Sequence, residues 1–302
     1  MKIPENIVDK LLQEKDFSRF DKTFQFENET YHYFVNDSIF FSQMCRVYSL
    51  LAKELGVSSA EYDYIRKGKK NLLFSKSICD LEEKLIEWGN IDYAFLEREK
   101  IMNYEDYINA WLQVINFLPF KDRNKTLNEF YKQWFFALLI FDDDKQISIV
   151  KDSKGLYRLG EYFDYGGIYF SQDSNHIDND IFYDEEEFND FCSDEDRETP
   201  YTKDNLKRDL DWAIERSVLN DIEWREGYDE ALNKILPNIN LDFVAKCFSV
   251  NILDVINKDI EHEYSENFKK VISCMFETSR SLLKNKIENL QLMQSAEEVK
   301  KI

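Results

Sequence analysis

The sequence predicts an α+β fold in two parts, a small β-rich one followed by a larger helical one. Three observations predict it. Strand-like runs cluster in the first 78 residues, and helical periodicity dominates afterwards. Glycine and proline number only 8 and 4 in 302 residues, too few for the turns of a many-stranded sandwich. Apolar residues make up 43% and aromatic residues 15% of the chain, which allows a sizeable core and excludes a disordered chain.

The elements follow in order. Residues 4–15 read as a short helix with Pro4 in its first turn, where a missing N–H costs nothing. TFQF and TYHYFV flank the turn ENE and read as a β-hairpin. Ser38 is placed to cap a helix in which Phe41, Met44, Tyr48, Leu51 and Leu55 recur at three- and four-residue steps, and Gly56 stops it. AEYDYIR and NLLFSKS are two more strands around Lys67-Gly68-Lys69-Lys70. Residues 1–78 therefore form a β-β-α-β-β unit.

The helical part is expected to span 79–302. Helices are predicted near 79–89, 104–118 and 124–140, and LNEFYKQWFFALLI is apolar enough on all sides to be buried. A small hairpin is expected at 146–160, turning at Asp152-Ser153-Lys154-Gly155. Acidic residues dominate 171–200, which reads as a solvated loop. Helices resume from 203 to 293, broken by Pro237 and by asparagine-rich joints.

Charge and cysteine usage narrow the function. A formal charge of −20 disfavours duplex DNA and anionic membranes, which are bound through Lys/Arg clusters. Five dispersed cysteines, none with CxxC spacing, read as a reducing cytoplasm without a disulfide frame. The charged N-terminus is not a signal peptide, and three scattered histidines do not make a zinc site.

A strand-rich start, a buried helix, an aspartate-rich loop, a hairpin and then a second aspartate beside glycines is the order of a two-lobed protein kinase. Phosphoryl transfer needs a base for the acceptor hydroxyl, oxygen ligands for Mg²⁺ and a cation on the phosphates. Here FDDDKQISIV follows the buried helix and FDYGG follows the hairpin. Asp142 or Asp143 is then the candidate base and Asp164 the candidate metal ligand.

Two stretches, LLAKELGVSSAEYDYIRKGKKNLLFSKS and GLYRLGEYFDYGGIYF, resemble the HipA-like serine/threonine kinases, best known as toxins of toxin–antitoxin pairs. Residues 51–62 match the family's helix-to-strand phrase, 72–77 its hinge, and 159–170 its metal-binding phrase. The resemblance implies a HipA-like two-lobed kinase fold, ATP and Mg²⁺ as cofactors, and a protein substrate or antitoxin-like protein partner. It implies that Asp142 or Asp143 is the catalytic aspartate. Gln146 falls at the asparagine that binds metal, and Asp164 at the Mg²⁺-binding aspartate. Ser75, Lys76 and Ser77 would face adenine, mostly through backbone groups.

The carry-over is incomplete. The strand TYHYFVND offers Val35 or Asn36, not lysine, at the phosphate-binding position, and Gln43 replaces the glutamate that pairs with that lysine. Lys22 is the nearest substitute cation. The readings left open are a kinase of weakened activity, a pseudokinase that binds nucleotide or protein, and an acidic interaction protein such as a DNA mimic.

Overall fold

The computed structural model of the chain describes residues 3–13, 22–36, 39–77, 79, 82–87, 104–140, 142, 147–162 and 222–300. Ser38 and the acidic stretch 171–200 lie outside the described residues.

Helix α1 (Glu5–Leu12) begins after Pro4 and buries Val8, Leu11 and Leu12, a one-sided stripe that lies on the outer face of a four-stranded sheet. The sheet contains β1 (Lys22–Phe26), β2 (Glu29–Asn36), β3 (Tyr62–Lys67) and β4 (Lys70–Lys76) in the antiparallel order β1-β2-β4-β3. The β1–β2 turn places Glu27 and Asn28 at φ 51° and 66°, the left-handed geometry that a two-residue hairpin turn requires. Tyr31, Tyr33, Val35, Leu72 and Phe74 meet α1 in a small outer core.

Helix α2 (Ile39–Leu55) connects β2 to β3 and packs on the inner face. It ends at Gly56, φ 77°. The Gly56 N–H reaches the Lys53 carbonyl and the Val57 N–H the Ala52 carbonyl, so the last turn's carbonyls are satisfied by a Schellman motif.

One predicted helix is corrected. Within 79–89, Lys84–Glu87 is a strand, β5, which pairs with β6 (Ser148–Lys151) so that Leu85 faces Val150 and Ile86 faces Ile149. β6 also pairs with β7 (Tyr157–Leu159). Lys84, Leu85 and Glu87 are good helix formers, but a waiting sheet edge overrides local propensity. The β6–β7 turn is held by Asp152, whose carboxylate accepts from the N–H groups of Lys154 and Leu156, both at 2.9 Å.

Helices α3 (Tyr104–Phe117) and α4 (Arg123–Leu139) follow. Asp122 caps α4 by accepting from the Lys125 N–H at 3.0 Å. As its composition predicts, the second half of α4 is buried, with Phe130, Trp134, Phe135 and Phe136 fully enclosed, while Arg123, Asn124, Lys125 and Asn128 at its start are exposed. Beyond 221 come α5 (Ile222–Ile235), α6 (Leu241–Ser249), α7 (Ile252–Lys258) and α8 (Glu266–Lys300). The asparagine-rich joints are caps: Asn240 and Asn251 accept from the N–H groups of Asp242 and Leu253. One core runs from α2, Tyr62, Tyr64 and Leu73 through α4 into α6, α7 and α8. Among the described residues, no helix is long and apolar enough to cross a membrane.

Candidate nucleotide cleft and its aspartate turns

Strand alternation decides which residues can face a cleft below the sheet. Tyr31, Tyr33 and Val35 point outward under α1. His32, Phe34 and Asn36 therefore point inward, toward α2. Two contacts bear this out: the Phe34 and Phe41 rings meet edge to face at 6.2 Å, and the Asn36 amide donates to Ser42 Oγ at 3.1 Å. Val35 is thus corrected as the lysine-equivalent position, because it lies 5% exposed in the outer core. The inward side of β2 carries neither lysine nor arginine. Lys22 is no substitute, since its partner across the ladder is the outward Tyr33.

Gln43 is buried on α2. Its amide donates to the Tyr64 hydroxyl at 3.3 Å and to the Glu263 carbonyl at 3.4 Å. At the other end of the sheet, Ser75 is 5% exposed on the inner face, and Lys76 pairs with Glu29 at 2.7 Å on the outer one. The Ser77 N–H donates to the Thr30 carbonyl at 2.7 Å, so that donor is already engaged by β2.

A cleft of ≈ 470 Å³ opens where the β1–β2 turn, the end of β4 and the β6–β7 turn meet, lined by Asn28, Lys76, Ser77, Glu82, Glu83 and Asp152 among others. Three of its carboxylates are ion-paired, Glu29 to Lys76, Asp152 to Lys121 and Glu83 to Arg158.

The chain just after α4 is joined to the chain just after β7. Asp142 follows α4, and its N–H closes the helix on the Ala137 carbonyl at 2.9 Å. Its side chain is buried, the residue being 1% exposed, and accepts a hydrogen bond from the Tyr162 hydroxyl. Tyr162 is itself fully buried, edge-on to Phe136 at 5.8 Å. Its backbone is clipped on both sides: its N–H donates to the Ser58 carbonyl at 2.9 Å and its carbonyl accepts from Ala60 at 2.8 Å. Gln133, 0% exposed, donates from one amide to the Ser58 and Gly160 carbonyls at 3.0 and 2.9 Å. Gly160 is needed for this approach, since a Cβ there would sit 2.1 Å from Ser148 Oγ. Burial pushes the neighbouring Glu161 carboxyl up, helped by Glu61 and opposed by Arg158 and Lys76.

Asp143, Gln146 and Asp164 lie outside the described residues. Asp143 follows the buried Asp142 in the chain, and Asp164 comes two residues after Tyr162. Sequence reasoning passed over Tyr162 and Gln133. The available signal was Gln133 itself, a polar side chain within the all-round apolar helix, which has to be hydrogen-bonded when buried. Tyr162→Phe is expected to lower unfolding stability by about 1–3 kcal/mol, because it strips a donor from a buried carboxylate. Urea denaturation checks this, and a shift below about 0.5 kcal/mol, the usual range of surface substitutions, would show that the hydroxyl contributes nothing.

No protein-family model and no curated protein matches the chain. Solved structures do. The Helicobacter pylori proinflammatory kinase CtkA superposes with a TM-score of 0.53 at 16% identity, over 88% of this chain and 94% of that one. The chain has a protein-kinase-like fold. A looser likeness, TM-score 0.48 at 9% identity, is to a chain from the Shewanella oneidensis MR-1 toxin–antitoxin complex of HipA, HipB and operator DNA; it covers 93% of this chain and 70% of that one. The two-lobed kinase-like fold expected from the sequence is the one found. In it the four-stranded sheet is the small lobe, and α2 is the helix packed on its inner face.

Proposed function

We propose that this chain transfers a phosphoryl group from ATP, with Mg²⁺, to a serine or threonine hydroxyl of a protein, at a rate reduced because the inner side of β2 carries no lysine. The observation that supports this most is the buried Tyr162–Asp142 hydrogen bond, which ties the chain just after α4 to the chain just after β7. Phosphoryl transfer needs little from a protein beyond positioning and electrostatics. In this reading the buried Asp142 orients its loop, Asp143 takes the acceptor proton, and Asp164 with Gln146 supplies metal oxygens. The inner face near Ser75 and the backbone of Lys76 and Ser77 borders adenine. Bound Mg²⁺ would neutralise charge on the transferring group, and the residues present suit it through their carboxylate and amide oxygens.

A second reading, a pseudokinase that keeps nucleotide or protein binding alone, is favoured by one observation. Gln43 is already engaged by Tyr64 and Glu263, and the inner side of β2 offers it no lysine.

Thermal unfolding with ATP tests the shared premise. A ligand at 100 times its Kd raises stability by about 2.7 kcal/mol, so ATP with Mg²⁺ is expected to raise Tm by several degrees, and ATP with EDTA by less. A Tm unmoved by saturating nucleotide in either form would end the kinase reading and the nucleotide-binding form of the pseudokinase. Transfer of labelled phosphate then separates the kinase from the pseudokinase.

A further inference from the structure

We infer that α2 is held in place by a clamp from the helical lobe, with Arg46 as its positioning residue, in the role that a lysine–glutamate pair plays from inside the cleft of other kinases. The clamp joins α2, the edge strand β3 and the segment 259–264 between α7 and α8. Arg46 meets Asp259 through two parallel hydrogen bonds, Nε to Oδ2 and Nη2 to Oδ1, both 3.0 Å. Its remaining arm donates to the Tyr62 carbonyl at 3.0 Å. Asp259 also accepts from the Tyr264 hydroxyl at 2.7 Å. The Arg46 and Asp259 side chains are 13% and 3% exposed, so the fork is shielded from water and salt.

The neighbouring contacts repeat the same connection. His262 lies 2.6 Å from Asp63 on β3 and stacks on Tyr64 with ring centroids 4.4 Å apart. Gln43, one turn before Arg46, donates to Tyr64 and to the Glu263 backbone. Burial alone would push Arg46 down and Asp259 up. Burial is the largest single influence on each, but their mutual bond, the surrounding charges and, for Asp259, the Tyr264 hydroxyl together outweigh it, holding the guanidinium above its ordinary range and the carboxyl below. A bidentate, desolvated arginine–carboxylate pair fixes geometry as well as charge. With Phe34 and Asn36 on the inner face of β2 and a glutamine at position 43, the inner side of β2 supplies no ionic hold on α2. The hold comes from the segment 259–264 instead.

Hydrogen exchange of the full chain tests this. In Arg46→Gln and in Asp259→Asn, amides of α2 and β3 are expected to exchange at least tenfold faster, while those of α1 and β1 stay as in the wild type. The double variant Arg46→Gln/Asp259→Asn should be no worse than either single one, and the swapped pair Arg46→Asp/Asp259→Arg should recover part of the protection. Should Arg46→Gln fail to fold, Arg46→Lys replaces it, with partial loss expected. Protection in α2 that is unchanged, or that falls equally across the chain, overturns the clamp. The effect on rate rests on the kinase reading, but exchange does not require any phosphate transfer, so the clamp and that reading can fail separately. If transfer is present, loosened variants should lower kcat more than they raise KM for ATP.

Discussion

Asp164→Ala should reduce labelled phosphate transfer by about 10²–10³-fold, the usual cost of one lost electrostatic contact to the transition state. The substitution removes a carboxylate next to two glycines in the second aspartate turn, where Gly166 and Gly167 follow Tyr165. Unfolding stability is expected to stay within about 0.5 kcal/mol of the wild type, so that a loss of transfer reports on chemistry and not on folding. Asp143→Asn should act on a different quantity. It keeps the shape of the loop and removes the proton acceptor, so kcat falls while the Mg²⁺-dependent shift in Tm with ATP survives; in Asp164→Ala that shift is lost as well. Equal transfer by wild type and both variants would mean that the measured phosphate comes from a contaminant, and would remove the enzyme reading.

The second large effect is a gain. Phe34→Lys combined with Gln43→Glu should raise transfer by about 10-fold or more, a fraction of the 10²–10³ that such contacts command. The choice of position 34 follows from the ladder. Phe34 pairs with Leu73, Leu73 pairs with Tyr64, and Tyr64 is the side chain that Gln43 touches. A lysine placed there lies in the same row as the new glutamate. Gln43→Glu alone should bring a loss of stability, since it puts a carboxylate beside the Glu263 carbonyl with no cation opposite. A double variant that folds, binds ATP and transfers no faster than the wild type would show that the missing ion pair does not limit the rate.

What was legible in the sequence depended on how local the cause was. α4 announced itself because Phe130 through Ile140 is apolar on every side, and burial on every side is what such a helix needs. The hairpin β6–β7 followed from Asp152 and Gly155. Val35 was misread because TYHYFVN carries apolar residues on both faces. A strand covered by α1 outside and α2 inside lacks the one-sided alternation that reveals its register. Lys84–Glu87 was misread because its strand partner lies more than sixty positions further along the chain, at Ser148–Lys151. The site shows the same division. The aspartates were proposed by motif, whereas the bonds around Asp142, Tyr162 to Asp142 and Gln133 to Gly160, depend on the completed fold. The Arg46–Asp259 fork spans 213 positions, and no local pattern could have signalled it.

A sheet has two ends at which a foreign strand could attach. At the β3 end, His262 lies against Asp63 and Tyr64, and Arg46 donates to the Tyr62 carbonyl, so one edge carbonyl is already engaged where an incoming strand would bond. The arginine that ties α2 to Asp259 thereby also blunts that edge.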